Sequence, residues 1–187
     1  LALGIGAAVK WTPALAALAL LVWLLASRRP RQSLRHAAGF VAAFGALTLP
    51  FLAWDADDVW AAYSIQGART ITGESLPYLP LHWLGQADLG EDFTHEAVVP
   101  DWADPAVTVV QLLILAGVLA LAWLARGRLA AGIALAGLAP VAFLLTNRIF
   151  SSQFLVVLLV AWAIAIALLA RSRLEQLVLG ALAAAAS

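Results

Sequence analysis

The sequence of 187 residues contains no cysteine, which excludes both a disulfide framework and a metal site built from thiolates. Charged residues make up only 12% of the chain, whereas an ordinary soluble domain has about 25%. The 11 basic and 11 acidic residues cancel, so the clustered positive charge of a nucleic-acid-binding protein is absent and no nucleic-acid partner is expected. With 64% hydrophobic residues, the composition excludes a soluble globular enzyme and indicates a polytopic membrane protein.

Methionine is also absent, and the chain starts at Leu1 and stops at Ser187 inside an apolar run. We therefore expect the sequence to be an internal fragment of a larger membrane protein. No basic segment precedes a short apolar core, so the sequence predicts no signal peptide.

Five apolar segments approach the length of about 20 residues that a helix needs to cross a bilayer. They are continuously apolar rather than alternating, which predicts helices and not barrel strands. The predicted spans are residues 11–27, 36–54, 106–125, 129–146 and 154–170, and residues 174–186 would begin a sixth. Residues 1–9 either extend the first span or end a helix that begins upstream. The predicted fold class is an all-α, polytopic transmembrane helix bundle of five to six spans, forming a single module over residues 1–187.

Small residues recur at four-residue spacing in two of these segments, at Gly4 and Ala8 and again at Gly132 and Ala136. Such spacing allows two helices to approach closely. In an alanine-rich chain the spacing is also expected by chance, so it identifies no helix contact by itself.

The connectors between the spans predict the orientation, because basic loops stay on the cytoplasmic side. Arg69 and Arg148 fall on the opposite side, with Lys10 at its membrane boundary. Ten of the 11 acidic residues fall within residues 55–105, which therefore form a long outward-facing loop with a predicted amphipathic helix. Connectors of that length usually have a function. The cytoplasmic side holds eight of the 11 basic residues: Arg28, Arg29, Arg31, Arg35, Arg126, Arg128, Arg171 and Arg173.

The start of the long loop predicts a helix. Asp55, Asp57 and Asp58 precede an apolar stretch, a pattern typical of a helix N-cap with acidic residues in the first turn. The alternative is a carboxylate cluster for acid–base chemistry or metal binding. No histidine at a suitable spacing completes such a site, so we expect no bound metal.

The same helix carries Tyr63, Gln66 and Arg69 at three-residue steps, within one broad face. All three side chains can hydrogen-bond to a phosphate or a sugar hydroxyl. The alternative is a helix that lies on the membrane, with Arg69 extended to lipid headgroups. Further along, His82 beside Trp83 is either a ligand or an interface residue.

Two more cations lie at the outer ends of spans. Lys10 is an ionisable residue at membrane depth, which indicates a functional site, although it can also extend to the interface beside Trp11. Arg148 and Gln153 follow the fourth span, and helix capping does not account for either of them. Lys10, Arg69 and Arg148 could together form a positively charged pocket for an anionic headgroup.

Three short motifs occur in order along the chain. They are Lys10-Trp11-Thr12-Pro13 before an apolar span, Tyr63, Gln66 and Arg69 before Glu74-Ser75, and residues 147–154 with the sequence NRIFSSQF. The chain resembles at these positions the GT-C superfamily of membrane glycosyltransferases, in particular the family-87 type that uses polyprenol-phosphate mannose. The third motif departs from the family's pattern at Ser152, where a proline is usual.

The resemblance implies a GT-C-like hexosyltransferase in the bacterial plasma membrane, multi-pass and active on the extracytoplasmic face. It would transfer a hexose such as mannose from a polyprenyl-phosphate donor to a lipid or glycan acceptor, without a cofactor and in contact with membrane lipids. Lys10, Arg69 and Arg148 would bind the donor phosphate. The residues that would orient the sugar or the donor are Tyr63, Gln66, Glu74, His82 and Gln153. The catalytic base would lie upstream of Leu1, so no residue is assigned to it.

Two other functions are compatible with the sequence. A transporter or lipid flippase segment would need a polar residue inside a span, and Gln111 is the main candidate. A non-catalytic membrane subunit would instead use the acidic residues between positions 88 and 104 to bind a partner.

Overall fold

The computed structural model describes residues 1–90, 95–150, 154, 155, 157, 159, 160 and 163, and most of this part of the chain is helical. The elements in chain order are α1 (Ala2–Val9), α2 (Thr12–Ala26), α3 (Pro30–Trp54), α4 (Ala56–Ala68), α5 (Tyr78–Trp83), β1 (Asp88–Leu89), β2 (Ala97–Val98), α6 (Ala103–Leu124) and α7 (Leu129–Thr146). The predicted span over residues 154–170 is described only in part, and residues 174–186 lie outside the described residues.

Three of the described helices, α3, α6 and α7, are long and apolar enough to cross a membrane, which supports the prediction of a membrane protein built from helices. The apolar helix α2 is shorter, with 15 residues. The bounds of α7 match the predicted fourth span. In contrast, α3 begins earlier than predicted, at Pro30, because the fixed φ of proline suits the first turn of a helix. Arg31 and Arg35 are therefore helical and do not belong to the connector.

The first helix is separate from the first span. α1 ends at Val9, Lys10 is extended, and α2 begins at Thr12 with a proline in its first turn. Residues 1–9 thus do not extend α2 as one continuous helix; α1 packs against both α2 and α3.

Helix α2 lies at the centre of the bundle and packs against α1, α3, α6 and α7. Its Ala19 meets Val118, Ala139 and Ala142 in one buried cluster, and its Trp23 meets Ala122 in another. The predominance of alanine in these contacts allows the helix axes to lie close together.

Two glycines mark the tightest of these helix contacts. A Cβ atom on Gly132 would lie 2.5 Å from the ring of Trp23, and a Cβ atom on Gly4 would lie 2.5 Å from the carbonyl oxygen of Phe40. Trp23 is only 1% exposed, and its indole N–H donates to the carbonyl oxygen of Ala125 at 3.1 Å. Gly4 and Gly132 therefore both lie at close helix contacts, which the sequence could not distinguish from chance.

The connectors that follow α2 and α6 meet at one end of the bundle. The backbone amide of Gly127 donates to the hydroxyl oxygen of Ser27 at 2.9 Å. The described arginine-rich connectors therefore share one end, as the charge pattern predicted. The opposite ends of α2 and α7 lie near Lys10 and Arg148.

Residues 55–105 contain ordered elements with a core of their own. The carboxylate of Asp55 accepts hydrogen bonds from the amides of Asp57 and Asp58, which confirms the predicted N-cap of α4. β1 and β2 pair as a short antiparallel ladder. We call residues 55–105 the outer segment, because the sequence predicts that they face outward. Its core consists of Ile71, Tyr78, Leu81, Ala87, Ala97 and Ala103.

The apolar residues of α4 do not gather on one face, as they would in the predicted amphipathic helix. Trp60 and Ile65 are both exposed, and a separation of five residues places them about 140° apart around the helix axis. Only Val59 among the described side chains of α4 is partly shielded from solvent.

We expect Gly132→Ala to destabilise the bundle, because the added methyl group must displace a buried indole that is already hydrogen-bonded. Overpacking of this kind costs about 1–3 kcal/mol. The matched control is Gly137→Ala on the same helix, where an added Cβ would meet no described atom within 4 Å. Thermal unfolding of the detergent-solubilised protein should show a lower Tm for Gly132→Ala alone, and equal values for the two variants would contradict the tight contact.

Candidate functional site

A cavity of about 1030 Å³ lies where α1, α4 and α7 end and α2 begins. Lys10, Arg69 and Arg148 all line it, and we call it the three-cation cavity. These residues belong to three connectors that are distant in sequence, so the folding of the chain brings them together. The convergence required for an anion site is therefore present.

The wall of the three-cation cavity is largely apolar. Ala7 and Val9 contribute from α1, Ala62 from α4 and Leu144 from α7. Trp11 also lines the cavity, with its ring edge-on to Phe143 at a centroid distance of 4.3 Å. A ligand with both a charged group and a hydrocarbon part would find matching surfaces here.

Lys10 reaches the cavity because the chain is extended between α1 and α2. Its backbone amide still caps α1 by donating to Gly6 at 2.8 Å, while its Nζ lies 3.6 Å from the ring centroid of Phe154. Such a cation–π contact stabilises a partly desolvated ammonium. No described carboxylate lies within ion-pair distance of Lys10. Desolvation lowers the pKa of this ammonium from its ordinary value, and an anion bound beside it would oppose that effect.

Arg69 is the residue at which α4 ends, and an acidic residue of the outer segment holds its side chain. Its Nε donates to Oε1 of Glu96 at 3.2 Å, and each side chain is 31% exposed. The backbone of Glu96 is itself fixed by a β-bridge to Thr72. The guanidinium thus has a defined position at the cavity wall before any ligand is present.

Arg148 follows α7 and joins it to two other helices. One terminal nitrogen donates to the carbonyl oxygen of Gly67 at 3.1 Å, in the last turn of α4. Carbonyl groups at a helix C-terminus carry partial negative charge, so a cation is favourable there. The other terminal nitrogen lies 3.7 Å from Oδ1 of Asp104, in the first turn of α6.

Asp104 completes this arrangement from the opposite side. Its Oδ2 accepts a hydrogen bond from the hydroxyl of Thr70 at 2.8 Å. Its buried Oδ1 has no hydrogen-bond partner among the described residues, and its contact with Arg148 is an ion pair only. Asp104 and Glu96 therefore position the two arginines and lower the net positive charge around the cavity.

Gln111, the polar residue inside α6, also lines the cavity. Its Nε2 donates to the carbonyl oxygen of Phe143 at 3.1 Å, near the C-terminus of α7. The side chain therefore satisfies a carbonyl group at a helix end. The cavity extends along α6 as far as this position.

The other predicted site residues are not brought to the described lining of the cavity. Glu74 is exposed in a turn of the outer segment. Nδ1 of His82 lies 3.1 Å from the hydroxyl of Tyr78 and 3.2 Å from the carbonyl oxygen of Ala87, so this histidine contacts its own segment. The side chains of Tyr63 and Gln66, and all of Gln153, lie outside the described part of the chain. The orienting roles of these five residues stay predictions.

Sequence reasoning did not identify the residues that hold the cations. Thr70, Glu96 and Asp104 lie in an acidic, polar loop in which many residues could serve equally well. Arg69 and Glu96 are 27 positions apart, and no periodicity connects them. The only local signal was the position of Asp104 near the start of a predicted span, which is typical of any helix N-terminus.

Neither metal chemistry nor known relatives identify the site. The described residues contain no group of three or more His, Cys, Asp or Glu residues that could hold a metal ion. No protein-family model, no curated protein and no solved structure matches the chain. The interpretation of the cavity therefore depends on its own geometry and charge.

We expect Thr70→Val to destabilise the outer segment, because Asp104 would lose its only hydrogen-bond donor among the described side chains. Loss of a partner for a buried polar group costs about 1–3 kcal/mol. The matched control is Thr108→Val, since the hydroxyl of Thr108 only donates back to the carbonyl oxygen of Asp104 within α6. The Tm of each variant is measured by thermal unfolding in detergent. An equal decrease in Tm for the two variants would contradict a special role for Thr70.

Proposed function

We propose that the chain forms the donor-binding part of a GT-C-type membrane glycosyltransferase. The reaction transfers a hexose such as mannose from a polyprenyl-phosphate donor to a lipid or glycan acceptor, at the extracytoplasmic face of a bacterial plasma membrane. The observation that carries this proposal is the meeting of Lys10, Arg69 and Arg148 in one cavity with an apolar wall.

The charges of the cavity suit the departure of a phosphate group. When the bond between sugar and phosphate breaks, negative charge grows on the leaving oxygen. Fixed cations aimed at that charge stabilise the transition state without reorganising. Arg69 and Arg148 are held in advance by Glu96 and Asp104, while Lys10 has no described carboxylate partner.

The apolar wall supports a lipid-linked donor. Ala7, Val9 and Leu144 lie beside the cations, on helices that pack into the bundle. A polyprenyl chain could follow this surface toward the bilayer while its phosphate stays among the cations.

The position of the cavity along the helices supports an extracytoplasmic site. The three-cation cavity lies at one end of α2 and α7, and the connectors with Arg28 and Arg126 lie at the other. Arginine-rich connectors stay in the cytoplasm, so the cavity would face the other side.

A lipid flippase is the second candidate, and the placement of Gln111 favours it. Its amide lines the cavity inside an apolar helix, where a polar group would suit the passage of a headgroup. The two functions differ in their product, since a flippase moves the polyprenyl phosphate across the bilayer without forming a glycosidic bond.

We expect Lys10→Gln to reduce hexose transfer from polyprenyl-phosphate mannose by about 10²-fold in kcat, as loss of one oxyanion-stabilising group does. The assay uses the complete protein as its gene encodes it, in membranes. Arg35→Gln is the matched control, because this exposed basic residue on α3 does not line the cavity.

Unchanged transfer by folded Lys10→Gln would contradict the assigned phosphate site. If the unsubstituted protein instead moves polyprenyl phosphate across liposome membranes and forms no glycoside, the flippase alternative is correct.

We expect the end of the bundle that carries the cavity to be accessible from outside the cell. Because residues 1–187 contain no cysteine, labelling that a thiol introduced there adds to that of the unsubstituted protein reports the location of the thiol. Ser64→Cys on exposed α4 should react with a membrane-impermeant maleimide in intact spheroplasts, whereas Gln32→Cys at the start of α3 should react only after lysis. The reverse pattern would place the cavity in the cytoplasm and contradict the proposed face.

A further inference from the structure

A second, smaller cavity lies at the other end of the bundle, between the connectors that follow α2 and α6. It has a volume of about 320 Å³, and Ala26, Ser27, Arg28, Arg126 and Gly127 line it. We call it the two-arginine cavity. It lies far from the proposed transfer site, so its role does not depend on the proposed function.

The two connectors are fixed relative to each other by hydrogen bonds. Gly127 donates its amide hydrogen to the hydroxyl oxygen of Ser27, and Trp23 donates to the carbonyl oxygen of Ala125. The hydroxyl group of Ser27 donates no hydrogen bond to an acceptor among the described residues. The cavity thus has a defined floor with one available hydroxyl donor.

The charge at this cavity is not balanced within the described part of the chain. Arg28 and Arg126 are both exposed, and neither forms an ion pair with a described carboxylate. In this respect the cavity differs from the three-cation cavity, where Glu96 and Asp104 hold two of the cations. Two unpaired guanidinium groups around one polar cavity favour an anion.

The backbone conformation of Arg28 is unusual for an arginine. Its φ is 52°, in the left-handed region, and it directly follows the C-cap of α2. The amides of Arg28 and Arg29 donate back to Leu25 and Leu24, which is the hydrogen-bond pattern of a helix end that normally uses glycine. The neighbouring connector does use glycine for its left-handed residue, Gly127. The arginine side chain at position 28 is therefore not explained by the helix ending.

The helices that end or begin at these connectors carry exposed apolar side chains in the turns nearest to them. Leu25, Trp123, Leu124 and Leu129 are all exposed, on α2, α6 and α7. A ligand with a phosphate and hydrocarbon chains could place its phosphate between the arginines and its chains against these residues. The small volume admits a headgroup but not the chains.

We propose that the two-arginine cavity binds the phosphodiester headgroup of an anionic phospholipid such as phosphatidylglycerol. The guanidinium groups of Arg28 and Arg126 contact the phosphate, and the hydroxyl of Ser27 donates to it. Basic cavities between membrane helices recognise anionic lipids through the same chemistry. The lipid would also hold together the ends of α2 and α6.

The test measures binding of phosphatidylglycerol, with phosphatidylcholine as the neutral comparison, by native mass spectrometry of the complete protein. Arg28→Gln combined with Arg126→Gln should weaken phosphatidylglycerol binding by about tenfold for each guanidinium removed. The matched control combines Arg31→Gln with Arg35→Gln, which removes the same charge from exposed positions on α3 outside the cavity. It should leave the affinity unchanged.

Arg28→Gly separates binding from folding, because glycine adopts the left-handed conformation without strain. This variant should keep or raise the Tm in neutral detergent and still lose the affinity for phosphatidylglycerol. Equal weakening in both double variants would show a diffuse charge effect and overturn the proposal. Equal occupancy by inorganic phosphate at the same concentration would show a free-phosphate site and overturn the lipid assignment.

Discussion

Arg148 joins four parts of the chain at the rim of the three-cation cavity. Its guanidinium donates to the end of α4 and lies beside Asp104 at the start of α6, while its carbonyl oxygen accepts the amide of Thr72 from the outer segment. A guanidinium has five donors in a fixed plane, so it can contact two elements and still face a third group. Arg148 therefore links the cavity, the outer segment and the end of α7.

The two ends of the bundle differ in whether carboxylates of the chain balance their positive charges. At the three-cation cavity, Glu96 and Asp104 hold the arginines, which keeps them in place and moderates their repulsion. At the two-arginine cavity no described carboxylate pairs with Arg28 or Arg126, so the charge can be met by an anion from outside the chain. A repulsive cluster of cations costs stability unless counter-charges lie near it. The acidic residues Glu96 and Asp104 of the outer segment therefore balance part of the positive charge of the three-cation cavity.

Much of the fold followed from composition and local pattern. The length of the apolar runs predicted α6 and α7 closely, because a continuous apolar run of this length is typical of a helix that crosses a bilayer. The N-cap at Asp55 was predictable because capping is a local interaction. The start of α3 was predicted at residue 36 instead of Pro30, because that prediction followed the apolar run and not the preference of proline for the first turn of a helix. The break at Lys10 was left open, because a short apolar run before a span has the same composition whether or not the helix is continuous. The core of the outer segment was not predicted, since Ile71 and Ala97 are in contact but lie far apart in sequence.

By itself, the sequence determined that this is a membrane protein built from helices, with arginine-rich connectors at one end and isolated cations at the other. Hydrophobicity and charge act on each segment separately, so they can be evaluated without coordinates. Only the tertiary structure decided that Lys10, Arg69 and Arg148 share one cavity, that Glu96 and Asp104 hold two of them, and that Gly132 faces Trp23. Contacts between distant residues depend on the relative positions and rotations of whole helices, and no local pattern encodes those.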